Sequence, residues 1–225
     1  RPAIFMNAAS IANDVVVTLH EAGHCFQAFE VFESQDLVFQ HWPGMEMAEV
    51  GSMAMELLAA PYLGPPTGGF YEEEDYRRAR IEHLEGIITF FPHYAAIDSF
   101  QQWVYTDAAG SDPDARDQHW LELRRRLEPA IDFEGLEAQR VARWYRQSHI
   151  FLVPFYYIEY GIAQLGALQV WRNALGDQPG AVAAYRRALA LGGSRPLGEL
   201  YSAAGIRLAF DAATMRELTE RVEEE

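Results

Sequence analysis

Apolar positions return at helical intervals along most of the chain, and the elements they predict are nearly all helices. Val16, Leu19, Gly23, Phe26 and Phe29 keep that period in a segment that Asn13 or Asp14 can cap and that runs to about Phe32. Leu37–Gln40 reads as a short extended piece, and Glu46–Leu58 as a second helix of good formers. Pro61–Gly69, with three prolines and three glycines, reads as a loop. Helical pattern resumes from Glu72 to about Thr106, opened by three glutamates and bent at Pro92. Ser111-Asp112-Pro113 is a helix start, with Asp112 as cap. Glu137–Ser148 is amphipathic, and Tyr156–Leu175 is apolar on nearly all sides. A helix ending after Arg186–Ala190 at Gly192-Gly193 precedes another from Pro196, and Asp211 caps a terminal helix through Glu225. The expected fold is mainly α with at most a small β element.

Composition narrows the classes of partner. Hydrophobic residues at 49% and charged residues at 23% belong to a folded globular chain, and 225 residues suffice for one domain with a core. All 18 basic residues are arginine against 33 acidic ones, a net charge of −15. Such a chain repels phosphate backbones and anionic lipid, which argues against nucleic acid and membrane as partners. The stretch Ile150–Trp171 contains Pro154, Glu159, Gln164 and Gln169 and reads as a core helix, not a bilayer span. One cysteine, Cys25, allows no internal disulfide and reads as a buried small hydrophobe. A reducing cytoplasm is the default location.

The sharpest chemical signal is His20-Glu21-Ala22-Gly23-His24 inside the first predicted helix. Residues i and i+4 share a helix face, so both imidazoles can reach one metal ion, while Glu21 between them can reach a water on that ion. Gly23 costs about 1 kcal/mol in a helix interior, which marks close approach by another element. A catalytic zinc takes three protein ligands and keeps one open position. By spacing, His41, Glu46, Glu49 and Glu56 are all candidates for the third ligand. His83, His93 and His119 match no ligand spacing and read as structural or surface residues.

Three ordered segments resemble the M3 family of zinc metallopeptidases, in particular oligoendopeptidase F, a relative of thimet oligopeptidase. They are the His20–His24 pentapeptide, Ala48-Glu49-Val50-Gly51-Ser52-Met53-Ala54-Met55-Glu56, and His149 through Pro154-Phe155-Tyr156-Tyr157-Ile158-Glu159-Tyr160-Gly161. The resemblance covers essentially the whole chain and implies a zincin-like multi-helix catalytic domain over residues 1–225. It implies one zinc ion per chain held by His20, His24 and Glu49, with Glu21 as general base. His149, Tyr157 and Tyr160 match the family's oxyanion-stabilising residues, with Tyr156 as the alternative to Tyr157. Glu56, two turns beyond Glu49 on the same face, is then a candidate acceptor for a ligand histidine. Gly51 departs from the alanine or proline frequent in relatives. The implied function is endopeptidase cleavage of oligopeptides. An exopeptidase of carboxypeptidase type and a zinc-stabilised peptide-binding fragment are the competing readings. Family members are more than twice this length, so the chain is expected to be a C-terminal catalytic portion. It should then present an apolar surface that a preceding segment or a partner chain covers.

Overall fold

The computed structural model describes residues 1–225 as ten α-helices joined by short 3-10 turns, with no strand. The helices are α1 (Ala12–Ser34), α2 (Met45–Ala59), α3 (Glu73–Thr106), α4 (Pro113–Leu127), α5 (Glu137–Ala142), α6 (Ser148–Leu152), α7 (Tyr157–Gly176), α8 (Gln178–Leu191), α9 (Leu197–Ala203) and α10 (Ala212–Glu223). No helix is long and apolar enough to cross a membrane. The chain divides into two compact units, residues 1–87 with 162–225, and residues 88–161.

The first unit is built on α1 packed against α2 and α8, with α9 against α2 and α8. Asp14 does not cap α1 as expected but lies in its first turn, where its carboxylate accepts from the Ile11 and Ala9 backbone N–H groups. The helix start thus lies three residues earlier than a cap at Asp14 would put it, and the carboxylate satisfies the Ile11 N–H that the helix N-terminus leaves open. The anticipated extended piece at Leu37–Gln40 is instead a 3-10 turn over Val38–Gln40. Its last carbonyl accepts from Gly193 N–H at 2.7 Å, and Gln35 Nε2 donates to Ala190 O at 2.9 Å. These bonds tie the end of α1 to the end of α8. Gly192 takes φ +51° there, and a Cβ would stand 2.2 Å from Gln40 O, so only glycine fits.

The second unit has its own core of Ile97, Phe100, Trp120, Leu123, Trp144, Ile150 and Tyr157. Asp112 caps α4 as expected, its side chain accepting from Ala115 N–H. The amphipathic stretch after Glu137 is not one helix: α5 gives way to a 3-10 turn at Arg143–Arg146 before α6. That tighter turn seats Trp144 in the core, where its Nε1–H donates to Asp117. Pro92 lies inside α3 and ends nothing.

Candidate metal centre and histidine–tyrosine cluster

In the first unit α1 and α2 come unusually close. A Cβ on Gly23 would lie 2.6 Å from Ser52 Cα and 2.7 Å from Gly51 O, so the glycine in the middle of α1 is what lets the two backbones meet. Tyr185 Oη of α8 donates to the same Gly51 carbonyl at 2.6 Å. Across this contact α2 presents Glu49, which is 4% exposed, to His20 and His24 on α1. Ligand atoms of the three residues lie within 4.8 Å of one another. Glu49 Oε2 stands 3.3 Å from His20 Nε2 and 3.8 Å from His24 Nε2. Donors placed tetrahedrally about 2.0–2.1 Å from one ion are roughly 3.4 Å apart, so these separations suit a shared cation.

Two of the three donors are held from behind. Ser52 Oγ donates to Glu49 Oε2 at 3.1 Å. Glu56 accepts from His20 Nδ1 at 2.7 Å and from His83 Nε2 at 2.8 Å. Because Glu56 holds the Nδ1 proton, Nε2 is the nitrogen His20 turns towards Glu49, and its lone pair becomes a metal ligand's once a cation takes the place of the Nε2 proton. A buried carboxylate, Glu49, and a half-buried one, Glu56, give this corner a strong demand for positive charge. Burial alone would lower the His20 pKa, but hydrogen bonds to Glu49 and Glu56 outweigh it and push it up to about 10. The His24 pKa stays below its ordinary value because burial outweighs attraction to Glu49. Glu56 is held below the carboxylate range: burial opposes this, and the hydrogen bonds from His20 and His83 overcome it. Glu21 lies half-buried on α1, close enough to His24 to act on its charge.

Of the four third-ligand candidates, only Glu49 joins both histidines. Glu56 backs His20, Glu46 lies apart near the start of α2, and His41 Nε2 donates to Gln35 O while packing on Phe32. Cys25 is free and half-buried, less enclosed than expected. His83 was legible only as a structural or surface residue; its bond to Glu56 crosses from α3 to α2 and has no local signature.

In the second unit His149, Tyr156, Tyr157 and Tyr160 form one cluster. The His149 ring centroid lies 5.0 Å from that of Tyr157 and 5.9 Å from those of Tyr156 and Tyr160. Tyr157 is 7% exposed and packs on Tyr94 and His93, whereas Tyr156 and Tyr160 are half-buried with rings 5.1 Å apart. Burial and then the neighbouring Tyr160 push the Tyr157 pKa up to about 12, so its hydroxyl keeps its proton at neutral pH. His149 and His93 both meet Gln147.

The model of peptidase family M3 matches residues 1–220. The chain belongs to that family. Among solved structures, PZ peptidase A with an inhibitor superposes at a TM-score of 0.87, with 30% identity over 97% of this chain. A protein assigned as oligoendopeptidase F gives 0.85 at 32% identity, again over 97%. An oligoendopeptidase F assignment from Bacillus anthracis str. Ames gives 0.78 at 27% identity, also over 97%. The chain spans 35–38% of the length of these three proteins. No curated protein sequence matches it. The mainly α architecture expected from the sequence is thus the M3 architecture, and it contains no β element.

Proposed function

We propose that the chain is the catalytic part of a zinc endopeptidase that hydrolyses short peptides, with one zinc ion held by His20, His24 and Glu49. The observation that carries this reading is the convergence of two imidazole Nε2 atoms and a buried carboxylate on one point, with Glu56 fixing the His20 tautomer. Two nitrogens and one oxygen are the donor set of a hydrolytic zinc site, and three ligands leave a coordination position for chemistry. Zinc bound there supplies a Lewis acid that polarises a peptide carbonyl and acidifies a water.

The remaining work falls to side chains. Glu21, on the turn between the two histidines, takes a proton from the attacking water and delivers it to the departing amine, so one carboxylate serves as base and then acid. His149, Tyr157 and Tyr160 donate hydrogen bonds to the carbonyl oxygen as charge builds on it, which stabilises the transition state more than the substrate. Their grouping in one cluster and the M3 resemblance support that role. A single free cysteine suits a reducing compartment such as the cytoplasm.

Glu21→Gln should lower cleavage of a quenched fluorogenic peptide by about 10²–10⁴-fold while zinc content stays at one per chain. Near wild-type turnover would remove Glu21 from its role. A peptide blocked at both ends, with products weighed by mass spectrometry, separates endopeptidase from exopeptidase, since only the former cleaves it. Zinc without turnover in the unaltered chain would instead indicate a peptide-binding scaffold.

A further inference from the structure

Arg124, on α4, is a charged side chain with no exposed surface. It is paired with Glu128 one turn on, and its Nη1 donates to His93 Nδ1 of α3 at 2.8 Å. A guanidinium has only donors, so His93 Nδ1 must accept. The neutral ring therefore carries its proton on Nε2. Burial first, and then the positive charges of Arg124 and Arg143, keep His93 neutral by pushing its pKa down to about 4.

His93 is also hydrogen-bonded to the side chain of Gln147. With Nδ1 engaged by Arg124, that bond comes from Nε2–H and ends on Gln147 Oε1. The orientation of the amide follows, because reversing it would set two donors face to face. Its NH₂ then points the other way, to His149 Nδ1 at 2.7 Å, and bonds the Tyr157 hydroxyl oxygen as well. A nitrogen that accepts cannot hold the proton of a neutral imidazole. His149 must carry its proton on Nε2.

We propose that Arg124, His93 and Gln147 are positioning residues whose hydrogen-bond relay holds His149 as the neutral Nε2–H tautomer, so that Nε2 is the donor it offers to substrate. The proposal rests on the reading of His149 as an oxyanion donor. It accounts for an arginine buried without exposure beside a histidine: a fixed donor at one end of the relay sets every proton position along it. Without Arg124, the protons of His93, the Gln147 amide and His149 could reverse together, leaving a bare lone pair at His149 Nε2. That lone pair would repel the negative oxygen it should stabilise.

The test is ¹⁵N NMR of the histidine rings in the zinc-loaded chain near pH 8, with peptide kinetics on the same samples. The unaltered chain should show His149 Nδ1 as the unprotonated nitrogen and Nε2 as the protonated one. Gln147→Met keeps the side-chain length but has no donor, and the site is only half-buried, so the fold should survive. In that variant the two His149 nitrogen signals should move towards each other as both tautomers populate. Its kcat should fall about 10-fold or more with KM little changed, in line with the 10–100-fold effects of residues that orient a catalytic group. A His149 proton on Nδ1 in the unaltered chain, or an unmoved Nε2–H signal in Gln147→Met, overturns the relay. His149→Ala separates the two readings. A kcat loss of roughly 10²–10³-fold supports the donor role, whereas wild-type turnover overturns that role even if the tautomer result holds.

Discussion

A histidine can serve a metal through one nitrogen only when something decides where the other nitrogen's proton goes. In the first unit that decision falls to Glu56, which accepts from both His20 Nδ1 and His83 Nε2. Glu56→Ala should therefore weaken zinc binding by about 10–100-fold, measured by competition with a chelating dye; undiminished affinity would detach Glu56 from the centre. In the second unit the decision falls to Arg124, and it has a consequence for acid stability. His93 has a folded pKa near 4, depressed from 6.5 by burial and by Arg124. Its neutral form is favoured in the fold, so the stability it contributes is complete above pH 6.5 and is lost as pH falls towards 4. Denaturant titrations at pH 7 and pH 4.5 should show a larger loss for the unaltered chain than for His93→Asn. An equal loss would mean that His93 is protonated in the fold.

At the scale of elements, the α1–α2 contact is the structure on which the metal centre depends. Gly23→Ala would force a methyl to within 2.6 Å of Ser52 Cα, backbone that cannot move aside alone. The expected cost is about 1–3 kcal/mol of stability, the usual range for overpacking, with weaker zinc binding because α2 carries Glu49 away from α1. Thermal unfolding with and without zinc checks both. This contact was legible in the sequence, because a glycine amid good helix formers carries a cost that close approach by a second backbone offsets. So were the helix face shared by His20 and His24 and the cap at Asp112, all of which depend on residues within one or two turns. What could not be read depends on distant partners. Arg124 and His93 are 31 residues apart, and Gln147 is further still from His93, so no spacing rule announces their contact. The Val38–Gln40 turn escaped for a similar reason: its conformation is set by Gly193, more than 150 residues away. Propensity alone favours a strand for Leu37-Val38-Phe39.

At the scale of the molecule, the first unit is discontinuous in sequence, with residues 1–87 joined to 162–225. The unit that holds the metal ligands is closed by pairings such as Gln35 with Ala190, 155 residues apart. Contacts of that span place their loop-closure cost early in folding and slow it. The helix that carries His20 and His24 also carries Phe26, Phe29 and Phe32, each more than half exposed, and Val38, Phe39 and Trp42 follow with 65–79% exposure. Water does not favour leaving so many aromatic groups wetted, and copies of the chain could hide them against one another.

What opposes that is charge. At −15, and with a pI near 4.8, each molecule repels its neighbours in neutral buffer of low ionic strength. The absence of lysine sharpens the balance, since all 18 basic residues counted in that charge are arginines, able to lie flat on a neighbour's aromatic ring. Salt shortens the reach of the repulsion to about 3 Å at 1 M and strengthens apolar association. Light scattering at fixed protein concentration should accordingly rise with sodium chloride and again as pH is lowered towards 5, and Phe29→Ser should blunt both responses. Colloidal behaviour of the chain in solution is thus written on the outer face of the same helix whose inner face gathers the metal ligands.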